Sequence, residues 1–374
     1  MITVSELAAA LRLRDLSDPA SGPHAMQLLL DDVLSALTAA WGNALDVRRP
    51  RPLVSVEDNY DRLGYAPDAV TRDARYSRYV AETVMLRSHT SAGIPPALRA
   101  LAAAPREDVL LALPGLCYRR DTIDRLHVGA PHQVDLWRVT TTPQTGSDLA
   151  EMVAGVVGAV LPGAHHRLTP AVHPYTVDGW QVDVGTPGGW VELAECGLIA
   201  PTVLDRAGLA PTRWNGLALG MGLDRALMLR KGIDDIRVLR SDDPRVAAQL
   251  RDLAPWRPVS RQPAIRRDLS VVVDEVPDAE LLGDTVRGAL GEDAEQLESV
   301  SILAVTGYPE LPAGARKRLG LRPDQSNVLL RLVLRPLTGA LTDDQANRLR
   351  DDVYAAVHRG PYREWAASTD STVR

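Results

Sequence analysis

The spacing of apolar residues predicts alternating helices and strands up to about residue 240. After His24, the segment MQLLLDDVLSALTAAW repeats apolar residues at helical intervals, which indicates an amphipathic helix. A second helix is predicted over residues 148–161, where the same interval recurs. Short apolar runs bounded by glycine, proline or polar residues predict strands at 109–113, 133–139, 180–184, 190–196 and 217–220.

Between Gly216 and Leu239 a short strand, a glycine-flanked turn and an apolar helix are predicted in succession. Gly220 and Gly222 carry no Cβ, so the backbone there can approach a ligand closely. Arg225 then lies at the start of the helix, where its forked guanidinium suits a phosphate. Because the same string alone also fits a surface turn with an exposed arginine, the other motifs of the chain decide between the two.

The order of elements changes after residue 246. Residues 247–258 are rich in proline and polar residues, which predicts a linker. Beyond the linker the pattern predicts a strand, a helix, two strands and a helix, and one further short strand would complete the ferredoxin-like split βαβ plan. The predicted divisions are an N-terminal segment (1–22), a first domain (23–246), the linker (247–258), a second domain (259–364) and a disordered tail (365–374).

Composition narrows the class of protein. The formal net charge is -6 with both signs mixed, so a nucleic-acid contact would have to come from a local patch. Cys117 and Cys196 lack CxxC spacing, which argues against a disulfide framework or a zinc site and favours the reducing cytoplasm. No apolar run is long enough to span a membrane and the start of the chain lacks a signal pattern, so no membrane partner is expected.

Six short strings occur along the first domain in a fixed order: VEDNYD (56–61), MLRSHTSA (85–92), CYRRDTID (117–124), HQVDLW (132–137), GMGLDR (220–225) and GIDDIR (232–237). With the appended second domain, they make the chain resemble class II aminoacyl-tRNA synthetases, specifically phenylalanyl-tRNA synthetase in its single-chain form with a ferredoxin-fold anticodon-binding domain. The resemblance implies an α+β fold, with an antiparallel class II sheet and flanking helices followed by a C-terminal ferredoxin-like α+β domain.

The resemblance implies that ATP and Mg²⁺ are bound. Forming an aminoacyl adenylate builds charge on a crowded phosphoryl centre, which positioned arginines and a metal ion stabilise. Arg119 or Arg120 is expected to hold the α-phosphate and Arg225 the γ-phosphate end, and these are the expected catalytic residues. Glu192 is the expected Mg²⁺ ligand. The implied ATP-binding set is Arg119, Arg120, Glu192, Gly220, Gly222 and Arg225.

The implied amino-acid site takes its polar groups from the HTS turn and the HQ strand, which together would satisfy an α-ammonium and an α-carboxylate. Asp135 stands where the family has glutamate, so its contact with the ammonium is expected to be longer or bridged by water. Thr169 and Ala171 replace two phenylalanines of the family's pocket, whereas Ala218 is retained. The implied set is His89, Thr90, Ser91, Gln133, Asp135, Thr169, Ala171, Glu195 and Ala218.

Glu195 stands at a glycine position of the family, and two orientations are open. A side chain facing the pocket would favour a polar or cationic group on the substrate. A side chain on the far face of its strand would meet solvent instead.

The densest basic cluster lies in the second domain and is the expected contact with the tRNA backbone: Arg316, Lys317, Arg318 and Arg322. The expected activity is ATP-dependent activation of an amino acid, phenylalanine by resemblance, and its transfer to phenylalanine tRNA, by a cytoplasmic monomer or homodimer. Two alternatives are a paralogue that activates a different amino acid for a biosynthetic or resistance role, and a non-catalytic tRNA-binding regulator.

The chain contains no phenylalanine, although it has 7 tryptophans and 9 tyrosines. Ordinary usage would give roughly a dozen phenylalanines in a chain of this length. We expect the absence to be selected, because a synthetase free of phenylalanine can be made when phenylalanyl-tRNA is scarce. During phenylalanine starvation, pulse-labelled synthesis of this protein should persist while that of a phenylalanine-containing control falls. Equal decline of both proteins would contradict this expectation.

Overall fold

The computed structural model describes residues 1–259 and 263–362, which form two compact units. The predicted tail at 365–374 lies outside the described residues. The first unit holds Met1–Arg119, Ala130–Asp234 and Ala247–Trp256; the second holds Arg120–Gly129, Asp235–Val246 and the described residues from Arg257 onward.

The described residues contain helices and strands close to the predicted ones. None of the helices in these ranges is long and apolar enough to cross a membrane. The α-helices are α1 Val4–Leu11, α2 Ala25–Trp41, α3 Val56–Asn59, α4 Ile94–Ala103, α5 Gly146–Val160, α6 Pro201–Arg206, α7 Leu223–Lys231, α8 Pro244–Gln249, α9 Ala279–Leu290, α10 Ala313–Leu319 and α11 Asp343–Val357. The strands are β1 Ala44–Val47, β2 Leu53–Ser55, β3 Tyr79–Ala81, β4 Val84–Leu86, β5 Asp108–Leu116, β6 His132–Thr140, β7 His166–Pro170, β8 Thr176–Thr186, β9 Gly189–Ile199, β10 Asn215–Gly222, β11 Ile265–Val273, β12 Leu297–Gly307 and β13 Ser326–Leu334.

A seven-stranded sheet forms the centre of the first unit, in the order β1-β5-β6-β10-β9-β8-β7. The β1–β5 pair is parallel and the other pairs are antiparallel. A small antiparallel sheet, β2-β4-β3, belongs to the same unit. The predicted α+β class with a large antiparallel sheet and flanking helices is therefore confirmed for the first unit.

Burial explains why β5 and β10 lie inside the large sheet. Every residue of β5 from Val109 to Leu116 is buried, as expected for a strand that is covered on both faces. Helix α5 packs against β8 and β9, α7 packs against β6 and β10, and α2 packs against both helices. A separate core cluster joins α4 and α6 to Leu111 and Trp137 of the sheet.

Tyrosine and tryptophan supply the large rings of this core. Tyr60 and Trp137 are fully buried. The Oη atom of Tyr60 donates a hydrogen bond to the carbonyl of Thr71 (2.7 Å), and Nε1 of Trp137 donates to Oδ1 of Asp135 (3.0 Å). A buried ring that carries a polar atom needs such a partner, so a core without phenylalanine is also a core with more hydrogen bonds to satisfy.

The second unit contains the antiparallel sheet β11-β13-β12, whose apolar face packs against α9 and α11. The order of strands and helices follows the predicted split βαβ plan. The expected further short strand is not formed among the described residues, where one backbone hydrogen bond, from the nitrogen of Arg359 to the carbonyl of Val272 in β11 (2.8 Å), follows α11. Ile123, from the β5–β6 connection, belongs to the apolar core of this unit.

Lys231 ties the 247–256 segment to the end of α7 within the first unit. Its side chain is 1% exposed and lies 3.2 Å from a carboxylate oxygen of Asp252. Its Nζ atom also donates to the carbonyls of Asp252 (2.8 Å) and Ala254 (2.6 Å). Together these bonds satisfy the buried ammonium of Lys231, which has three hydrogens to donate.

We expect Lys231→Met to lower the free energy of unfolding of the first unit by about 1–3 kcal/mol, because the hydrogen bonds from its charged ammonium to the 247–256 segment are lost. Chemical denaturation followed by tryptophan fluorescence measures this loss. The matched control is Arg213→Met, because Arg213 is 62% exposed in its ion pair with Glu107 and should contribute less than about 0.5 kcal/mol. Equal effects of the two substitutions would show that the buried lysine has no special structural role.

Candidate active site

Strand pairing aligns Asp135, Gly220 and Glu195 in one row across β6, β10 and β9. Gly220 lies directly opposite Asp135 on one side and Glu195 on the other. Residues paired across antiparallel strands project from the same face of a sheet. A Cβ on Gly220 would meet no heavy atom within 4 Å beyond its chain neighbours. Open space therefore lies between the two carboxylates, and we call these three residues the carboxylate row.

Three donors hold the buried carboxylate of Asp135. Its Oδ2 accepts hydrogen bonds from Thr90 Oγ1 (2.6 Å) and Ser91 Oγ (3.0 Å), and its Oδ1 accepts from Trp137 Nε1 (3.0 Å). Burial raises the pKa of Asp135, and these hydrogen bonds oppose that shift. A carboxylate can accept about four hydrogen bonds. Three of these positions are occupied here, so one remains for the ammonium group of a ligand. The structure thus brings together the predicted Thr90, Ser91 and Asp135.

His89 lies beside these residues as a neutral ring. Burial and, after it, the positive charge of Arg119 lower the pKa of His89 to about 3, although the nearby backbone of Asn59 opposes the shift. The ring stacks on Tyr65, with centroids 5.7 Å apart. Apart from the backbone of Asn59, neither ring nitrogen meets a hydrogen-bond partner among the described residues, and both are shielded from solvent. Buried polar atoms of this kind are rare in proteins and fit a group that is completed by a ligand.

The two arginines of the YRRD string occupy different places. Arg120 belongs to the second unit, where its Nε lies 3.1 Å from Oδ2 of Asp284 on α9. Arg119 belongs to the first unit, and its buried Nε has no hydrogen-bond partner within the described part of the chain. Its charge also helps to lower the pKa of Glu195, after the larger effect of a hydrogen bond from His173. Arg119 is therefore the arginine near the carboxylate row, and Arg120 is engaged elsewhere.

Arg225 lies in the first turn of α7, directly after β10 ends at Gly222. Its Nη1 lies 3.4 Å from the backbone oxygen of Glu192 and 3.9 Å from Oε2 of the same residue. The side chains of Arg225 and Glu192 are 30% and 45% exposed. The pair is loose and accessible, so either member can turn towards a ligand. Gly222, like Gly220, has open space where a Cβ would lie.

Glu192 is the candidate ligand for Mg²⁺. Burial raises the pKa of Glu192, Arg225 opposes that shift, and the negative charges of Glu195 and Asp183 add to it. No cluster of three or more histidine, cysteine, aspartate or glutamate side chains in the described ranges is arranged to hold a metal ion. Mg²⁺ is commonly held by one or two carboxylates together with substrate phosphates. A partly exposed carboxylate with like charges nearby fits that arrangement.

Aromatic rings form a wall beside the carboxylate row. Tyr175 stacks between His173 and Trp137, with centroid distances of 5.7 and 6.0 Å. Tyr65 lies 6.2 Å from Tyr175. None of Tyr65, His173 or Tyr175 was predicted as a site residue. The sequence indicated them only by placing aromatic residues in the strings GYAP (64–67) and HPYT (173–176).

Glu195 faces this wall, so its side chain takes the first of the two orientations left open by the sequence. Its Oε2 lies 3.0 Å from Nε2 of His173. The other ring nitrogen of His173 lies 3.3 Å from Oγ1 of Thr176. The hydrogen bond from His173 lowers the pKa of Glu195, with burial acting against it. The carboxylate is therefore charged near neutral pH.

The remaining predicted pocket residues lie on the same sheet. Ala218 is buried on β10, two residues before Gly220. Gln133 on β6 lies opposite Gly222 of β10. Thr169 is exposed on β7, and Ala171 is partly buried just beyond the end of that strand.

Curated relatives of the chain are phenylalanine–tRNA ligase alpha subunits. The chain is 34% identical over 194 residues to the alpha subunit of Prochlorococcus marinus (strain MIT 9313), which covers 51% of this chain and 56% of that protein. It is 30% identical over 244 residues to the alpha subunit of Heliobacterium modesticaldum, which covers 62% and 70%. The chain therefore spans little more than half the length of the first of these relatives.

Among solved structures, the pyrrolysyl-tRNA synthetase of Desulfitobacterium hafniense is 18% identical to this chain, with a TM-score of 0.47 and coverage of 63% of this chain and 78% of that one. The family model of the tRNA synthetases class II core domain (F) matches residues 38–250, which is more than half of the chain. The chain therefore belongs to the class II tRNA synthetase core-domain family.

Proposed function

We propose that this protein activates an aromatic amino acid with ATP and Mg²⁺ and transfers it to a tRNA, with phenylalanine tRNA as the expected acceptor. The main support is the arrangement of charges: Arg119 and the Arg225–Glu192 pair lie close enough to the carboxylate row for their charges to interact. These are the charges that a zwitterionic amino acid and a triphosphate need at a single site.

Each residue has a separate task in the proposed reaction. The carboxylate of the amino acid attacks the α-phosphorus of ATP, and the bond to the pyrophosphate leaving group breaks. Arg119 would hold the α-phosphate oxygens as negative charge builds there, and Arg225 would hold the γ-phosphate end. Mg²⁺, held by Glu192 and phosphate oxygens, would neutralise charge on the leaving group. Asp135, fixed by Thr90 and Ser91, would orient the α-ammonium.

A non-catalytic tRNA-binding protein is the weaker alternative. Binding the backbone of a tRNA needs exposed cations spread over a surface. It does not need an arginine with a buried, unpartnered Nε, nor a row of carboxylates beside aromatic rings. The observed arrangement is therefore better suited to chemistry on a small ligand.

The second unit is proposed to contact tRNA through α10. The basic cluster predicted there is helical, because Arg316, Lys317 and Arg318 lie on α10. Arg316 lies over the ring of Tyr308, 4.7 Å from its centroid. Arg322 lies 3.0 Å from the carboxylate of Asp274, which offsets its charge. Lys317 and Arg318 are therefore the preferred candidates for phosphate contacts.

The proposed assembly is a monomer or a homodimer in the cytoplasm. The curated relatives are named alpha subunits, which denotes one part of a larger enzyme. This chain carries a second α+β unit with its own basic helix, which favours a protein that works without a different subunit. Native mass spectrometry of the purified chain, alone and with its host lysate, distinguishes these assemblies.

We expect Arg225→Ala to lower the rate of amino-acid-dependent ATP–pyrophosphate exchange by at least about 10²-fold, because a donor to the developing phosphate charge is lost. Circular dichroism should show an unchanged fold. Arg106→Ala, which removes an exposed arginine of the same unit, is the matched control and should leave exchange unaltered. An Arg225 variant as active as the control would rule out the assigned role.

We expect the double substitution Lys317→Ala and Arg318→Ala to weaken tRNA binding and to reduce the slope of log K against log salt by about 1–2, because up to two phosphate contacts are lost. Filter binding over a salt series measures both quantities. Arg348→Ala on α11, an exposed arginine of the same unit, is the control. The role of α10 is excluded if the double variant and the control give the same salt slope.

A further inference from the structure

The floor of the pocket lacks bulk where a ligand ring would rest. Gly220 lies between Asp135 and Glu195, and one step deeper Ala218 lies between Trp137 and Gly197. Thr176 already fills the space above Gly197, since a Cβ there would lie 2.7 Å from the Cβ of Thr176, so the open space lies above Gly220. The wall of Trp137, Tyr175 and His173 stands beside this floor. We call the open space above Gly220 the slot; with stacked rings at its side, it suits a flat aromatic group.

The far end of the slot offers hydrogen-bond acceptors. Glu195 is 44% exposed on its side chain, and His173 is its only hydrogen-bond partner among the described residues. One carboxylate oxygen is therefore left for another donor, because a carboxylate only accepts. With its hydrogen on Nε2, His173 donates to Glu195 and its Nδ1 accepts from the hydroxyl of Thr176. In that arrangement the ring of His173 has no donor left for a ligand.

Phenylalanine would fit the ring slot but would leave this end unsatisfied. Its ring would displace water from the Glu195 carboxylate without supplying a hydrogen bond, and covering a charged group in this way is unfavourable. A ring that carries a hydroxyl or an amino group would donate to the free oxygen. Sites built around such a bond reject analogues that lack the donor.

We propose that this pocket selects an aromatic amino acid whose ring carries a hydrogen-bond donor. Glu195 accepts the hydrogen bond from that donor, and His173 positions Glu195. The proposal rests on the proposed amino-acid activation. The inference concerns only which side chain the substrate carries, and it does not depend on how ATP is bound.

ATP–pyrophosphate exchange should be measured for phenylalanine, tyrosine, 4-aminophenylalanine and lysine. We expect tyrosine or 4-aminophenylalanine to exceed phenylalanine in kcat/KM by at least about 10-fold, the usual effect of a hydrogen bond to a charged group. Glu195→Ala should bring the ratio to within about threefold, mainly by raising activity with phenylalanine. Glu195→Gln, which keeps the size of the side chain, should give an intermediate ratio. Glu107→Ala, an exposed glutamate of the same unit, should keep the wild-type ratio.

Two results would overturn this inference while leaving amino-acid activation intact: phenylalanine or lysine as the best substrate, or a preference that survives Glu195→Ala. Absence of exchange with every amino acid would instead count against the proposed function. In that case the inference is tested by calorimetry, which measures the binding of the sulfamoyl-adenosine analogues of tyrosine and phenylalanine. Tighter binding of the tyrosyl analogue, lost in Glu195→Ala, supports it, and equal binding or no binding of the two contradicts it.

Discussion

The pairing register of β6, β10 and β9 is the constraint on which the site depends. Because paired residues of antiparallel strands share a face, one register places Asp135, Gly220 and Glu195 together and leaves a gap at the glycine. If β10 slipped by one residue, Leu219 or Met221 would stand opposite the two carboxylates, and a bulky side chain would fill the gap. Such a slip would also exchange the two faces of β10, whose apolar residues are buried on both sides. The stability of the sheet and the geometry of the site therefore have the same origin.

The structure also separates groups with fixed partners from groups that are left for a ligand. Asp135 is held by three donors, and Arg120 is paired with Asp284. Arg119 and the neighbouring ring of His89 include buried nitrogen atoms without a hydrogen-bond partner in the described part of the chain. Most buried polar atoms of a protein are hydrogen-bonded, so nitrogens of this kind beside the carboxylate row fit groups that a ligand completes.

Much of the fold was predictable from the sequence because its signals are local. The apolar spacing predicted α2 and α5 to within two residues at their ends, and the apolar run at 109–113 predicted the strand β5. The motif strings also placed Thr90, Ser91 and Asp135 in one predicted set, and in the structure the two hydroxyls donate to the Asp135 carboxylate. These predictions succeed because helix periodicity, turn residues and short motifs act over a few residues.

The finer features of the site depend on long-range pairing, which no local pattern contains. The orientation of Glu195 follows from its register with Gly220, and β8 carries two irregularities that break simple alternation beside it. The choice between Arg119 and Arg120 depends on Asp284, which lies far along the chain. The predicted elements of the second domain do not include a helix at 313–319, yet the basic residues 316–318 lie on α10. Each of these outcomes required the folded chain.

A crystal structure with the sulfamoyl-adenosine analogue of tyrosine would show whether one face of the sheet, at the carboxylate row, holds both the amino acid and ATP. We expect the ligand above Gly220, with its ring beside Tyr175 and its sulfamoyl group near Arg119. A ligand bound elsewhere, or bound above Gly220 with Arg119 turned away from the sulfamoyl group, would contradict this expectation.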